Sequence, residues 1–230
     1  MDYILEGFRN AFKMIISLDR EIIIITLVSL KVSTASTILA TLAGVPFGFY
    51  VALKDFWGKK VIVTILNTLM AFPTVLVGLM VYSLISRRGP LGTLGLLYTP
   101  WAMIIGQFIL AFPIVAALSL SATQSVDKRV EKTALTLGAN RRQTALIILA
   151  EGRFALLTAI IAGFGRVFAE VGVSMMLGGN IRGFTRNITT AIAFETGKGE
   201  FALGIALGII LLAVAFSMNI LFHYFQKKRI

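Results

Sequence analysis

Four long stretches of this chain contain no aspartate, glutamate, lysine or arginine. They are residues 32–53, 61–86, 89–126 and 201–222. A helix of about 20 apolar residues crosses the roughly 30 Å hydrocarbon core of a bilayer. Only 14% of the 230 residues are charged and 57% are hydrophobic, which leaves too little polar surface for a soluble domain of this size. The sequence therefore predicts an all-α integral membrane protein.

Five membrane spans are predicted, with an amphipathic helix before them. The spans cover about residues 22–53, 61–86, 101–122, 153–177 and 201–224. Residues 1–20 carry apolar side chains on one helical face, as in a helix that lies in the membrane interface or packs on the bundle surface. These apolar residues are Ile4, Leu5, Phe8, Phe12, Ile15 and Ile16. The chain is thus divided into two units, an N-terminal helix at 1–20 and a transmembrane domain at 21–230.

Lysine and arginine in the loops predict how the chain crosses the membrane. Twelve lie on one side and eight on the other, and the richer side is expected to be cytoplasmic. The N-terminus is then outside and the C-terminus inside. The twelve are Lys54, Lys59, Lys60, Lys128, Arg129, Lys132, Arg141, Arg142, Arg153, Lys227, Lys228 and Arg229.

Several kinds of chemistry are excluded or disfavoured by composition. The chain has no cysteine and one histidine, so disulfides, thiolate metal sites and histidine-rich metal sites are excluded. We predict no catalytic residue and no metal site. The phosphate-loop pattern G-x-x-x-x-G-K-[ST] is absent, so ATP is not bound by that route. The net charge of +11 sits in short clusters between apolar runs, which argues against a nucleic-acid partner.

The loop at residues 125–150 carries the most informative local pattern. Ser125 is predicted to cap a short helix, Gly138 to end it in a left-handed conformation, and Asn140 with Gln143 to begin a second helix. Val130, Ala134 and Leu137 are predicted to share one face of the first helix. A helix–turn–helix exposed to the cytosol suits a docking partner, although a helix resting on the lipid surface fits the same pattern.

Residues 131–149 resemble the "EAA" loop of ABC importer permeases. That loop reads Glu-Ala-Ala, three residues, Gly, then about nine residues to Ile-x-Leu-Pro. The matching residues are Ala134, Gly138, Ala139, Ile147 and Leu149. Lys132 stands where the glutamate is usual (Glu131 is one residue early), Thr133 replaces the first alanine and Ala150 replaces the proline.

Further segments are similar to permeases for sulfate, molybdate and tungstate. They are residues 44–48, 163–172 and 178–181, and the segment 185–196 looks most like the tungstate-type branch. The similarity covers about residues 26–222. Together these motifs identify the chain as resembling that family.

The resemblance implies a type I ABC importer permease fold in a prokaryotic inner membrane, with a cytoplasmic coupling helix. It implies a non-catalytic subunit that pairs with a second copy and with two ABC ATPase subunits, which bind ATP and Mg. An extracytoplasmic oxyanion-binding protein would deliver the substrate, tungstate first, with molybdate or sulfate as alternatives. A secondary carrier or channel ranks lower, because we find one membrane glutamate and no inverted repeat. The implied ATPase-coupling residues are Glu131, Lys132, Ala134, Leu137, Gly138, Ala139, Arg141 and Arg142.

Two charges lie within the fourth predicted span. Arg166 and Glu170 are four residues apart, so they can pair on one helical face. They are predicted, with Gly172, to form either part of an oxyanion pathway or an ion pair that fixes helix packing.

Other residues carry simpler expectations. Pro46, Pro73 and Pro113 are predicted to kink their helices. Arg182, Arg186 and Lys198 are interpreted as solvated loop charges that could also face a binding protein.

Overall fold

The computed structural model describes residues 2–17 and 19–227, with side chains described for 8–17 and 19–220. Its regular elements are helical, which confirms the predicted all-α class. The helices are α1 (Asp2–Ile16), α2 (Arg20–Leu53), α3 (Lys59–Met70), α4 (Thr74–Ile85), α5 (Pro100–Gln124), α6 (Lys128–Thr136), α7 (Arg141–Glu151), α8 (Arg153–Phe168), α9 (Gly172–Gly178), α10 (Ile188–Lys198) and α11 (Phe201–Lys227). A short 3-10 turn lies at Gly92–Leu94.

Helices α2 and α5 form the centre of the bundle and run in the same direction. Val32 packs with Met103 and Ile104 near one end of the pair. Toward the other end, a Cβ added to Gly48 would lie 2.2 Å from the carbonyl oxygen of Ala116. Only glycine permits this approach of two backbones, a common device in membrane helix pairs.

The second predicted span is not one straight helix. Helix α3 ends at Met70, α4 begins at Thr74, and the two are bent by 100°. Pro73 takes the N-cap position of α4 in an extended conformation. Proline has no N–H to donate to the preceding turn, so the break falls at this residue. The sequence analysis predicted one span with a kink at Pro73, and the structure has its bend at that residue.

The fourth predicted span is also interrupted. Helix α8 ends at Phe168, and α9 begins after a break at residues 169–171. Helices α7 and α8 are bent by 65° at Gly152. Within the described residues three helices are long and apolar enough to cross a membrane, or up to five spans if each bent pair counts as one.

Helix α1 packs against α11. Ala11 is fully buried there, with Met14 and Ile15 partly buried beside it. Phe8, Phe12 and Ile16 remain exposed. The side chains of Ile4 and Leu5 lie outside the described residues.

A buried line of hydrogen bonds joins α2, α5 and α9. The Ser36 hydroxyl donates to Gln107 Oε1 (3.1 Å), and Gln107 Nε2 donates to the Ser174 hydroxyl (3.2 Å). All three residues are fully buried. Buried polar groups are costly without partners, so this line helps to fix the position of α9.

We predict that Gln107→Leu destabilises the folded chain by about 1–2 kcal/mol, because the buried Ser174 loses its hydrogen bond to Gln107 and Ser36 keeps only the Ser33 carbonyl (3.0 Å). The measurement is the thermal midpoint of the purified chain in detergent. Gln124→Leu, an exposed glutamine at the end of the same helix, is the matched control and should leave the midpoint nearly unchanged. Equal midpoints for the two variants would contradict the proposed role of the buried line.

Candidate functional site

The helix–turn–helix at one end of the bundle begins at Asp127. Its carboxylate accepts a hydrogen bond from the Arg129 backbone N–H (2.8 Å) and pairs with the Arg129 guanidinium. These contacts hold the pKa of Asp127 below its usual value. Ser125 does not cap α6 as predicted, since its hydroxyl donates to the Ala122 carbonyl at the end of α5 (2.8 Å). Asp127 caps α6 because it directly precedes the first residue of the helix, whereas Ser125 lies two residues earlier.

The turn between α6 and α7 has the predicted geometry. Gly138 has φ +85°, a left-handed conformation that favours glycine. Asn140 and Gln143 form the predicted capping box: the Asn140 N–H donates to Gln143 Oε1 (2.8 Å), and the Gln143 N–H donates to Asn140 Oδ1 (3.0 Å). The turn is thus held from both sides.

The predicted face of Val130, Ala134 and Leu137 does not form. Ala134 is buried, but Leu137 lies just beyond the end of α6 and is 82% exposed. The reason is that the chain leaves helical geometry at Leu137, which turns this side chain outward. An exposed apolar surface results around Gly138, formed by Leu137, Ala139, Leu146 and Ile147. On the two helices that flank the turn, Glu131, Lys132, Arg141 and Arg142 are all exposed.

A polar cavity of about 600 Å³ separates α6 from the end of α2. Charged side chains from both sides line it, among them Asp55 and Lys59 on one side and Lys128 and Glu131 on the other. Helix α6 therefore packs mainly on α7, and α7 continues through the bend at Gly152 into α8.

Arg166 and Glu170 form the predicted contact, with Arg166 Nη1 2.8 Å from Glu170 Oε2. They do not share a helical face, because α8 ends at Phe168 and Glu170 lies in the break. Glu170 is 3% exposed. Its Oε1 accepts from the Val173 N–H (3.2 Å), and its carbonyl accepts from the Thr189 hydroxyl (2.7 Å). The carboxylate of Glu170 thus holds the start of α9, and its backbone carbonyl closes the segment 170–189.

The two helix breaks lie side by side. A Cβ added to Gly172 would lie 3.1 Å from Thr74 Oγ1 and 3.3 Å from Glu170 Oε1. Thr74 is the first residue of α4, so the start of α4 touches the start of α9.

The Arg166 side chain is 35% exposed. Neighbouring exposed positions on and just after α8 are the small residues Ala162, Gly165 and Ala169.

The three prolines have different positions. Pro73 lies at the 100° break. Pro46 and Pro113 lie inside the continuous helices α2 and α5.

Arg186 is not a solvated loop charge, which corrects the sequence interpretation. It is 8% exposed, and its Nη1 pairs with Glu195 (3.0 Å) and Glu21 (3.2 Å). Arg182 also pairs with Glu21, and Lys198 lies 4.0 Å from the ring centroid of Phe194. Glu21 is 165 residues away in sequence, so no local pattern could reveal the pair.

Comparison with known proteins relates these features to a family. Residues 44–230 match the profile of the binding-protein-dependent transport system inner membrane component. The tungstate uptake system permease protein TupB of Peptoclostridium acidaminophilum is 39% identical over 99% of this chain and its full length. The protein of the same name from Campylobacter jejuni is 43% identical, over 99% of this chain and 95% of its own. The molybdenum transport system permease protein ModB of Escherichia coli is 28% identical over 76% of this chain and 80% of its own.

Solved structures share the fold. A bacterial alginate ABC transporter chain matches with a TM-score of 0.74 at 18% identity, over 99% of this chain and 88% of that chain. The methionine ABC transporter MetNI, in an inward-facing conformation, matches with a TM-score of 0.73 at 15% identity, over 94% and 97%. The predicted importer permease fold is confirmed, as is the prediction of a translocation subunit that is not itself an enzyme. The chain belongs to the family of binding-protein-dependent transport system inner membrane components, as a multi-pass permease subunit of an ABC importer.

Proposed function

We propose that this chain is the membrane subunit of an ATP-driven tungstate importer. The observation that carries the proposal is identity of 39–43% to two tungstate uptake permeases over nearly the whole chain. The molybdenum permease is more distant, at 28% over 76% of the chain. Molybdate and sulfate remain the alternative substrates, since an external binding protein would select the oxyanion before it reaches this chain.

The proposed assembly contains two copies of this chain, two ATPase subunits and an extracytoplasmic binding protein. The ATPase subunits would hold ATP and Mg. The exposed apolar surface around Gly138 supports docking of the ATPase subunits at that end of the bundle. Leu137 is exposed to solvent in the isolated chain, and a partner that covers it would remove its apolar surface from water. We assign this end to the cytoplasm and the N-terminus to the outside, following the loop charges.

The geometry suggests how movement of the ATPase could reach the membrane. The α6–α7 turn is capped on both sides, so it moves as a unit, and the cavity behind α6 leaves it room. Helix α7 passes its displacement through Gly152 to α8, which ends beside the Arg166–Glu170 pair. In this proposal the pair couples α8 to α9.

Gly138→Trp should abolish tungstate uptake while leaving membrane insertion intact. A tryptophan at φ +85° strains the turn and covers the docking surface. The measurements are ATP-driven uptake in vesicles and copurification of the ATPase subunit.

Gly95→Trp is the matched control, because Gly95 also has a positive φ (+59°) with open space around it but lies in the loop before α5. It should retain uptake. Unchanged uptake in the Gly138 variant would remove the coupling role of the turn.

Arg166→Gln should lower uptake, and it should also lower the free energy of unfolding by about 3 kcal/mol, because Glu170 is left buried without its cation. The double variant Arg166→Leu/Glu170→Gln removes both charges but keeps a side-chain oxygen that can accept from the Val173 N–H, and it should recover much of the stability. Thermal midpoints and uptake are measured on the same preparations.

We expect uptake to recover with stability in the double variant, as for an ion pair that fixes helix packing. Recovery of stability without uptake would contradict this and assign Arg166 to direct contact with the oxyanion.

Deletion of this chain should selectively lower cellular tungsten after trace feeding with tungstate, molybdate and sulfate. Mass spectrometry of tungsten, molybdenum and sulfur in deleted and complemented strains tests the substrate. A selective loss of molybdenum or sulfur would replace tungstate as the cargo, and no loss of any of them would contradict the importer.

A further inference from the structure

The turn between α2 and α3 exposes its tryptophan completely. Trp57 is 101% exposed, at the tip of a turn in which Gly58 has φ +95°. Phe56 beside it is also exposed. A tryptophan side chain is rarely left fully exposed to water. The residues around the turn therefore indicate which molecule covers it.

Apolar surface runs from this turn along both helices into the membrane-spanning region. Tyr50 and Leu53 are exposed at the end of α2, and Val61 and Ile65 are exposed at the start of α3. Trp57 lies between these two sets of exposed residues in the chain. The turn therefore sits where the lipid-facing surface of the bundle meets water.

The charge of the turn is positive and only partly compensated. Lys59 pairs with Asp55 (2.9 Å), and the hydrogen bond from Lys59 holds the pKa of Asp55 below its usual value. Lys54 and Lys60 are exposed and have no acidic partner among the described residues. The Lys54 ammonium lies 5.3 Å from the ring centroid of Tyr50, close to the apolar surface.

We propose that the α2–α3 turn binds the headgroups of anionic phospholipids. The amphipathic indole of Trp57 sits at headgroup depth, as tryptophan does at membrane interfaces. Lys54 and Lys60 flank it and attract negatively charged headgroups. The continuity of the turn with the lipid-facing surface favours lipid over a protein partner. This inference does not depend on the transported substrate.

The site faces the coupling helix. Asp55 and Lys59 form one side of the 600 Å³ cavity whose other side includes Lys128 and Glu131 of α6. Lipid bound at the turn would hold this wall of the cavity at the membrane surface while α6 moves.

Tryptophan fluorescence in the full-length chain tests the proposal directly. The chain has two tryptophans, so Trp101→Phe leaves Trp57 as the only tryptophan whose fluorescence is measured. This variant is reconstituted in phosphatidylcholine vesicles that contain brominated phosphatidylglycerol or, at the same fraction, brominated phosphatidylcholine. Brominated phosphatidylglycerol should quench Trp57 more strongly.

Lys54→Gln and Lys60→Gln should each lower the preference for the anionic lipid about fivefold, the effect expected of one lysine at such a surface. Lys31→Gln, an exposed lysine on α2 far from the turn, is the matched control and should leave the preference unchanged. Equal quenching by the two lipids, or no effect of either lysine variant, would overturn the proposal. If neither lipid quenched Trp57, and its emission changed only when the ATPase subunit bound, the proposal would also be overturned in favour of a turn that docks a protein.

Discussion

Hydrocarbon offers no water to a free N–H or carbonyl, so an interrupted membrane helix must satisfy its ends within the protein. Glu170 meets this requirement where α8 stops. Its carboxylate binds the Val173 N–H and Arg166, and its carbonyl binds the Thr189 hydroxyl. Without these contacts the segment 170–189 would present unpaired polar groups in the bundle. Glu170 therefore fixes where α9 begins.

Helix α9 is also held by α5 and α4. Gln107 holds it to α5, and a Cβ at Gly106 would lie 2.4 Å from Val173, which shows how closely the two helices pack. On its other side α9 lies against the start of α4, beyond the break at Pro73. The end of α8 and the starts of α4 and α9 therefore meet in one layer of the bundle.

Local chemistry was predictable from the sequence, and long-range pairing was not. The Gly138 turn and the Asn140–Gln143 capping box depend on neighbouring residues, and both were predicted correctly. The apolar spans were found because their length is set by the bilayer. The bend at Pro73 was expected from the proline itself, whereas the break at Glu170 was missed, since apolar composition is the same on both sides of it. The burial of Arg186 depends on Glu21, which only the folded chain brings near, and composition alone suggested a solvated loop.

Disulfide crosslinking of Thr74→Cys with Gly172→Cys would test the central claim, that the two helix breaks pack against each other in the membrane. The chain contains no cysteine, so a disulfide within one chain must join the introduced pair. A Cβ added to Gly172 would lie 3.1 Å from Thr74 Oγ1, so oxidation of membranes that contain the double variant should give an intramolecular crosslink, absent from each single variant. A double variant that inserts and assembles normally but does not crosslink would contradict the arrangement.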